Sequence, residues 1–423
     1  MKPLTAFGTG SSVVVDRCQV CDSNELDSVL FLGYLPPVNL MRAIGERPRE
    51  EPGYPAELLR CRRCTLIQLG LLVDPNILFP PTYPYTSGTT RILRENFAEL
   101  SRECRSLLDL SAEDLVIDIG SNDGTLLSNF ADGQRVFGIE PTNAGQLAID
   151  RGIPTTIDYF TADVAKRVTA EQGPARIVTA TNVFAHMEDI HALTDAVVSM
   201  LAPNGVFVSE SHYVLGLVET LQYDTVYHEH LRYYSIESLQ YLLNMHGLEV
   251  FHVRQIPTHG GSIRVYAAPK GTQPIQPSVA QELGAEQAAG LGLGRLAGFR
   301  QQVVASKLGI YETVAKLKQE GARIYGIGAP SRASTLINYV GLDDGILDYV
   351  LEVSNSRKLD KYIPGTLIPV VDEQRLYDDQ PEYAMLLSWH IADELMPKIT
   401  ANGFRGGYLI PLPTPRVVHA GQG

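Results

Sequence analysis

The sequence predicts an α/β protein of more than one domain, and three observations carry that reading. At 423 residues the chain is too long for one ordinary core. Two stretches, 115–268 and 322–388, alternate short apolar runs with helical patterns, the rhythm of sheets covered by helices. Ahead of both, four of the five cysteines form two pairs, Cys18-Gln-Val-Cys21 and Cys61-Arg-Arg-Cys64.

Composition narrows the class. The 44% hydrophobic and 20% charged content are those of a globular chain. Formal charge is 35 minus 48, or −13, which gives nucleic acid or an anionic membrane little to bind. No segment reaches the ~20 apolar residues of a membrane span. Met1 to Val15 holds one lysine and a three-valine run, unlike a secretory signal, so a cytoplasmic protein is expected. In that compartment paired cysteines argue for metal over disulfides. Two-residue spacers let both thiolates of each knuckle face one ion. Cys18, Cys21, Cys61 and Cys64 are therefore expected to hold a structural Zn2+, with no open position for catalysis. Two unrelated buried pairs or a redox couple are the alternatives. Cys104, alone in a helical pattern, reads as a small core residue.

Taken in order, residues 1–80 form the zinc-binding module, with a stiff loop at Leu35-Pro-Pro-Val-Asn39. The loop 80–88 carries Tyr83 and Tyr85 among prolines and hydroxyls, suited to a lid over a polar ligand or to a surface connection packing its own rings. A helix spans 91–109. The central domain, 81–275, then reads as strand 115–119, helix from Thr125, strand 135–140, helix 143–151, strand 155–160, a helix from 161, strand 176–180, helix 189–202 and strand 205–210. Helix 236–246 begins after Ser235 and stops at Gly247. Strands 248–254 and 262–268 follow without a helix between them, so an antiparallel pair closes the sheet. Residues 269–292 read as a linker, and a long helix covers 293–319. The second α/β domain, 276–423, has strands at 322–327, 348–353, 367–371 and 383–388, and 414–423 reads as a loose tail.

The loop Asp118-Ile-Gly120-Ser-Asn122-Asp-Gly124 ends a strand and opens a helix, where glycines let backbone amides approach a ligand. Such loops serve nicotinamide dinucleotides or S-adenosylmethionine. Asn122 stands where close approach to a pyrophosphate requires glycine. Glu140 is placed to accept ribose hydroxyls, and Asn182, in the segment running to His186, ends the fourth strand on the ligand edge. Together these favour the methyl donor, with a nicotinamide-dependent sugar oxidoreductase as the rival. Further on, Tyr227-His228-Glu229-His230 sets three kinds of proton-transfer group in four residues, beside Tyr233 and Tyr234. In an extended segment His228 and His230 would share a face, so a metal-binding pair is an alternative.

Read together, these motifs resemble the zinc-containing, S-adenosylmethionine-dependent C-3 methyltransferases of deoxysugars. The resemblance runs along nearly the whole chain, through the cysteine pairs, Ile119 to Leu126, Tyr227 to Ser235, His259-Gly-Gly-Ser-Ile-Arg264, Asn338-Tyr339 and Pro364-Gly365. It implies a central class I methyltransferase Rossmann-like domain, with a second Rossmann-like domain holding a thymidine-diphosphate-linked 4-keto-6-deoxyhexose. His230 is then the general base, Glu229 its modulator or orienting partner, Tyr227 a sugar contact or proton-transfer assistant, and His186 a neighbour of the C4 oxygen. His259 with its glycines meets the ligand or turns the last strand pair. Gly328-Ala-Pro-Ser331 would offer amides to the diphosphate, with Arg332, Lys358 and Lys361 neutralising it and Asn338 nearby; a structural turn is the alternative. Arg332 and Ser334 stand where lysine and asparagine are commoner, and Val353 where an aspartate is usual. Oligomeric state is not set by the sequence, and a monomer is compatible with it.

Overall fold

The computed structural model describes residues 12–79 and 91–419. The first module holds β1 (Val13–Val14), β2 (Leu26–Leu35), β3 (Tyr54–Cys61), β4 (Ile67–Leu69), β5 (Leu71–Leu72) and the short α1 (Pro75–Leu78). β2, β3 and β4 run antiparallel, and β1 pairs with β5. Both knuckles sit at the end of this sheet. Asp22 and Thr65 take left-handed backbone after them (φ 56° and 60°), which turns each chain back towards its sulfurs. The amides of Val20 and Arg63 point at Cys18 Sγ and Cys61 Sγ (3.5 and 3.3 Å), as donors to thiolates do. The four sulfurs lie within 4.8 Å of one another, with Cys18–Cys64 and Cys21–Cys61 both at 3.4 Å. A tetrahedron with Zn–S of ~2.3 Å has edges of ~3.8 Å, so the buried set fits zinc with small adjustment.

In the central domain, α2 (Arg91–Leu107) precedes β6 (Leu115–Ile119), β7 (Arg135–Ile139), α3 (Ala144–Asp150), β8 (Thr155–Thr156), α4 (Ala162–Gln172), β9 (Ala175–Thr181), α5 (Ile190–Met200) and β10 (Leu201–His212). Then come α6 (Val214–Glu219), β11 (Arg232–Tyr233), α7 (Ile236–Met245), β12 (Leu248–Ile256) and β13 (Ser262–Pro269). The sheet order is β12-β13-β10-β9-β6-β7-β8, parallel except for β13, which lies antiparallel to both neighbours. This is the class I methyltransferase arrangement. β6 and β9 are buried throughout, as central strands covered on both faces must be. Arg264 on β13 is buried against Glu210 (2.6 Å) and Glu103 (2.5 Å), tying α2 to the sheet, and Cys104 is buried within α2.

Four local expectations are corrected. No α-helix follows the glycine loop, only a 3-10 turn at Leu127–Asn129 that passes into further turns up to Gln134. The strand expected over 155–160 shrinks to two residues at the sheet edge. The expected linker contains α8 (Pro277–Ala289), built from alanine, glutamine and glutamate, with Pro277 at its first turn and left-handed Gly290 at its end. Glu286 on α8 is buried and accepts from the amides of Ile236 and Glu237 (2.8 and 3.1 Å), capping α7, and from Tyr213 Oη. The expected tail pairs as a strand, β20 below.

After α9 (Leu293–Gln319), the second α/β domain runs β14 (Ile324–Ile327), α10 (Ser331–Val340), β15 (Tyr349–Glu352), β16 (Lys361–Tyr362), β17 (Pro369–Asp372), α11 (Gln374–Asp379), β18 (Tyr383–Leu386), α12 (Ala392–Ala401), β19 (Gly407–Ile410) and β20 (Arg416–His419). Its order is β16-β17-β15-β14-β18-β19-β20, a parallel centre with antiparallel edges. Among the described residues no helix is long and apolar enough to cross a membrane.

β11 belongs to the central domain in sequence but adds to the sheet of the first module, against β4. Leu69 N donates to Leu231 O (3.0 Å) beside this ladder. The knuckle geometry thus supports a sheet whose edge strand carries the His230 segment. Cys64→Ser should release the metal and raise hydrogen exchange at the Leu69 amide, read by metal analysis and exchange mass spectrometry. Retained protection in the metal-free protein would contradict this coupling.

Candidate active site

Along the carboxyl edge of the central sheet, β6 carries Asp118 as its penultimate residue, which is buried and accepts from Thr179 Oγ1 (2.6 Å). Burial, aided by the Glu140 and Glu210 charges, pushes its carboxyl up to about 7. Gly120 and Gly124 take φ of +70° and +76°, and a Cβ on Gly120 would meet Val183 at 2.4 Å. Asn122 also takes positive φ (49°), so the loop turns without a glycine there. Its amide donates to Glu140 Oε2 (2.9 Å), while Thr142 N and Oγ1 donate to Oε1 (2.9 and 2.5 Å). A carboxylate offers about four acceptor positions, so one remains for a hydroxyl. Asn182, again at positive φ (56°), carries a buried Oδ1 without a partner, and Ser121 Oγ is likewise unpartnered. Both lie at the carboxyl edge of the sheet, where a bound adenosine cofactor would offer them partners. The loop fits S-adenosylmethionine.

Beside this loop the structure gathers imidazoles. His230 lies with ring centroids 5.0 Å from His186, 4.6 Å from His212 and 4.1 Å from Tyr227, and His212 is 5.6 Å from His259. Each arrives by its own route: His186 after β9, His212 at the end of β10, His259 from a left-handed position (φ 56°) before β13. His230 closes a turn in which its amide donates to Tyr227 O (3.0 Å). The segment is therefore not extended, and its two histidines diverge. His228 Nε2 donates to Pro55 O (3.2 Å) and its ring rests on Tyr54. Among the described residues the four cysteines form the only cluster able to hold a metal.

His230 Nδ1 lies 2.8 Å from the carbonyl of Thr225, which can only accept. The proton is thereby assigned to Nδ1, and Nε2 keeps its lone pair. Tyr233 Oη donates to the same carbonyl (2.9 Å). Burial takes His230 and His212 well below 6.5, and neighbouring imidazoles and Arg332 add to this. His186 and His259 fall to about 4 for the same first reason. The cluster is therefore neutral at pH 7, a set of lone pairs and N–H donors. His259 Nε2 is buried without a partner.

Other expected residues have different neighbours from those anticipated. Glu229 accepts from Asn39 Nδ2 (2.7 Å), so Thr225, not Glu229, holds the Nδ1 edge of His230. Ser331 Oγ approaches Asn39 Oδ1 (3.3 Å), and Lys358 Nζ donates to Ala329 O (2.6 Å), with burial lowering its pKa. Lys361 is half-buried on β16. Asn338 Nδ2 donates to Ser334 O and Pro364 O (2.8 and 2.9 Å), fastening the Pro364-Gly365 turn. Arg332 is buried in a bidentate pair with Asp224 (2.8 and 2.7 Å). Tyr83 and Tyr85 lie outside the described residues. The sequence reading passed over His212, Asp224, Thr225, Trp389 and His390. The strand-end argument that picked out His186 reaches His212 as well, whereas Asp224 and Thr225 carry no local signal.

Three family models match the chain. Residues 90–253 match a model described as "Methyltransferase domain", 257–413 one described as "C-methyltransferase C-terminal domain", and 18–79 one described as "Putative zinc binding domain". C-methyltransferase NovU from Streptomyces niveus is 32% identical over 416 residues, 96% of this chain and 97% of that protein. Among solved structures, PH0226 protein from Pyrococcus horikoshii OT3 aligns with TM-score 0.36 and 14% identity, over 47% of this chain and 99% of its own. Magnesium protoporphyrin IX methyltransferase from Synechocystis PCC 6803 aligns with TM-score 0.33 and 15% identity, over 41% and 81%.

The buried imidazoles set a pH dependence. Their folded pKa values lie below the ordinary 6.5, so the unfolded chain binds more protons in between. Their contribution to stability is complete above about 6.5 and lost as pH falls towards about 4. Urea unfolding of wild type and His186→Gln/His259→Gln should give a difference that is constant above neutrality and shrinks in wild type's disfavour below it. A pH-independent difference would contradict the assignment.

Proposed function

The chain belongs to the S-adenosylmethionine-dependent C-methyltransferase family, and from that membership we propose that it methylates C3 of a dTDP-linked 4-keto-6-deoxyhexose, a step in branched deoxysugar and antibiotic biosynthesis. The observation that carries the reading is the Nδ1–H of His230 fixed on Thr225, which leaves Nε2 as a base inside the site. A hydrogen on C3 is acidic because the adjacent C4 carbonyl can hold the charge as an enolate. His230 Nε2 takes that proton, and the C–H electron pair moves into the C3–C4 bond as the carbonyl pair moves to oxygen. Neutral imidazole donors from His186 and His259 stabilise the oxygen charge, and burial strengthens their effect. Tyr227, its ring tilted against that of His230, contacts the sugar. When bound, S-adenosylmethionine supplies a sulfonium methyl, the electrophile for the deprotonated carbon.

In this division of labour residues 81–275 hold the cofactor, with Asp118, Gly120, Asn122, Gly124, Glu140 and Asn182 around it. Residues 276–423 grip the nucleotide, with Ser331, Lys358 and Lys361 nearest its diphosphate. Residues 1–80 brace both. Burial lowers the pKa of Lys358, and the Glu352 and Glu229 carboxylates oppose that effect. Binding energy from the remote nucleotide then positions C3 against His230.

His230→Ala should lower methyl transfer by ~10²–10⁴-fold, the usual worth of a general base, while calorimetry shows S-adenosylhomocysteine affinity within about twofold of wild type. Retention of most of the turnover would remove His230 from the mechanism. The same calorimetry with NAD should show no binding, separating this reading from an oxidoreductase.

A further inference from the structure

Asp224 and Arg332 form the buried ion pair between the central domain and α10. Asp224 lies on the 3-10 turn Tyr223–Thr225, fully buried, and Arg332 reaches it from the first turn of α10. Arg332 Nε and one terminal nitrogen donate to the two carboxylate oxygens (2.8 and 2.7 Å), and Trp389 Nε1 adds a third donor at 2.7 Å. A guanidinium has five N–H groups. The other three go to Gln222 Oε1 (3.3 Å), His259 O (3.3 Å) and His390 Nδ1 (3.2 Å), and the group lies over the Trp389 ring. Every N–H of Arg332 is thus engaged inside the protein, and none is left for a phosphate. Thr225, next to Asp224, carries the carbonyl that takes the His230 Nδ1 proton. His259, whose carbonyl Arg332 holds, presents its unpartnered Nε2 to the same cluster.

We propose that Asp224 and Arg332 are positioning residues for methyl transfer: the pair clamps the 223–225 turn against the C-terminal domain, so that Thr225 fixes the tautomer of His230. The proposal rests on the reading of His230 as base. It gives the C-terminal domain a share in setting the base as well as in holding the nucleotide. A bidentate arginine–carboxylate pair suits this because its geometry is rigid and specific. Arg332→Met then acts on a different kinetic constant from the one a phosphate ligand would affect.

The test measures kcat and KM for methyl transfer to the dTDP-linked keto sugar in Asp224→Asn, Arg332→Met and the double variant, with zinc content and S-adenosylhomocysteine affinity as controls. Each single variant should lose about 100-fold in kcat, the scale of a misdirected base, with KM for the sugar within about threefold. A single variant leaves one buried charge unpaired and can fail to fold; the double variant removes both charges and is expected to fold. In the folded double variant, 15N spectra of histidine-labelled protein, assigned with His230→Gln, should show the Nδ1 proton of His230 shared between both nitrogens. A wild-type kcat in the double variant, or a raised KM with kcat intact in Arg332→Met, would overturn the proposal. If His230→Ala itself stays active, the base reading fails instead, whatever the pair does.

Discussion

The carbonyl oxygen of Thr225 can accept two hydrogen bonds, and the site fills both, one from His230 Nδ1 and one from Tyr233 Oη. A histidine in water exchanges tautomers freely, so half its value as a base depends on which nitrogen bears the proton. Here that choice is made by a backbone oxygen in a buried turn. The six residues that follow the turn, 226–231, are irregular. Its neighbours come from all three parts of the chain. β11 joins the sheet of the zinc module, His228 donates to Pro55, Asn39 bonds Glu229, and Arg332 grips Asp224.

This arrangement gives the zinc module a role that needs no open metal position. Four thiolates would complete the coordination of zinc and leave no open position, so the metal would serve to hold β3 and β4 in place. Those strands present the edge on which Arg232 and Tyr233 pair. One hydrophobic core runs from Leu58 and Leu69 of this sheet through Tyr233 into Leu336 and Ile337 of α10, so the modules share packing as well as hydrogen bonds. Burial keeps the imidazoles neutral, which leaves His230 a free lone pair at the expense of basicity and suits donors to a developing oxyanion, at a cost to stability in acid.

Much of this was legible in the sequence where a signal is local. Cysteine spacing, the glycine loop, the Ser235 and Gly247 caps and the length of α9 each follow from residues close together, and the α/β class followed from the alternating runs. Alternation failed where two structures share a composition: the alanine- and glutamine-rich run of α8 reads as a linker unless its proline start and glycine stop are weighed. The strand β20 depends on a partner, β19, that local pattern does not reveal. Within the site, His212 at the end of β10 was passed over, while His186 and His230 were found, one after a strand and one in a run of proton-transfer groups. Their partners were not: a carbonyl such as Thr225 O has no sequence signature, and Arg332, which reads as a phosphate ligand beside a glycine turn, meets an aspartate 108 residues away.

A crystal structure with S-adenosylhomocysteine and a dTDP-linked 4-keto-6-deoxyhexose tests the central claim most directly. The account predicts His230 Nε2 about 3–3.5 Å from C3 of the hexose, on the face that carries the hydrogen, with Nδ1 still on Thr225. A hexose seated with another side chain nearest C3, and His230 turned away from the ring, would contradict it.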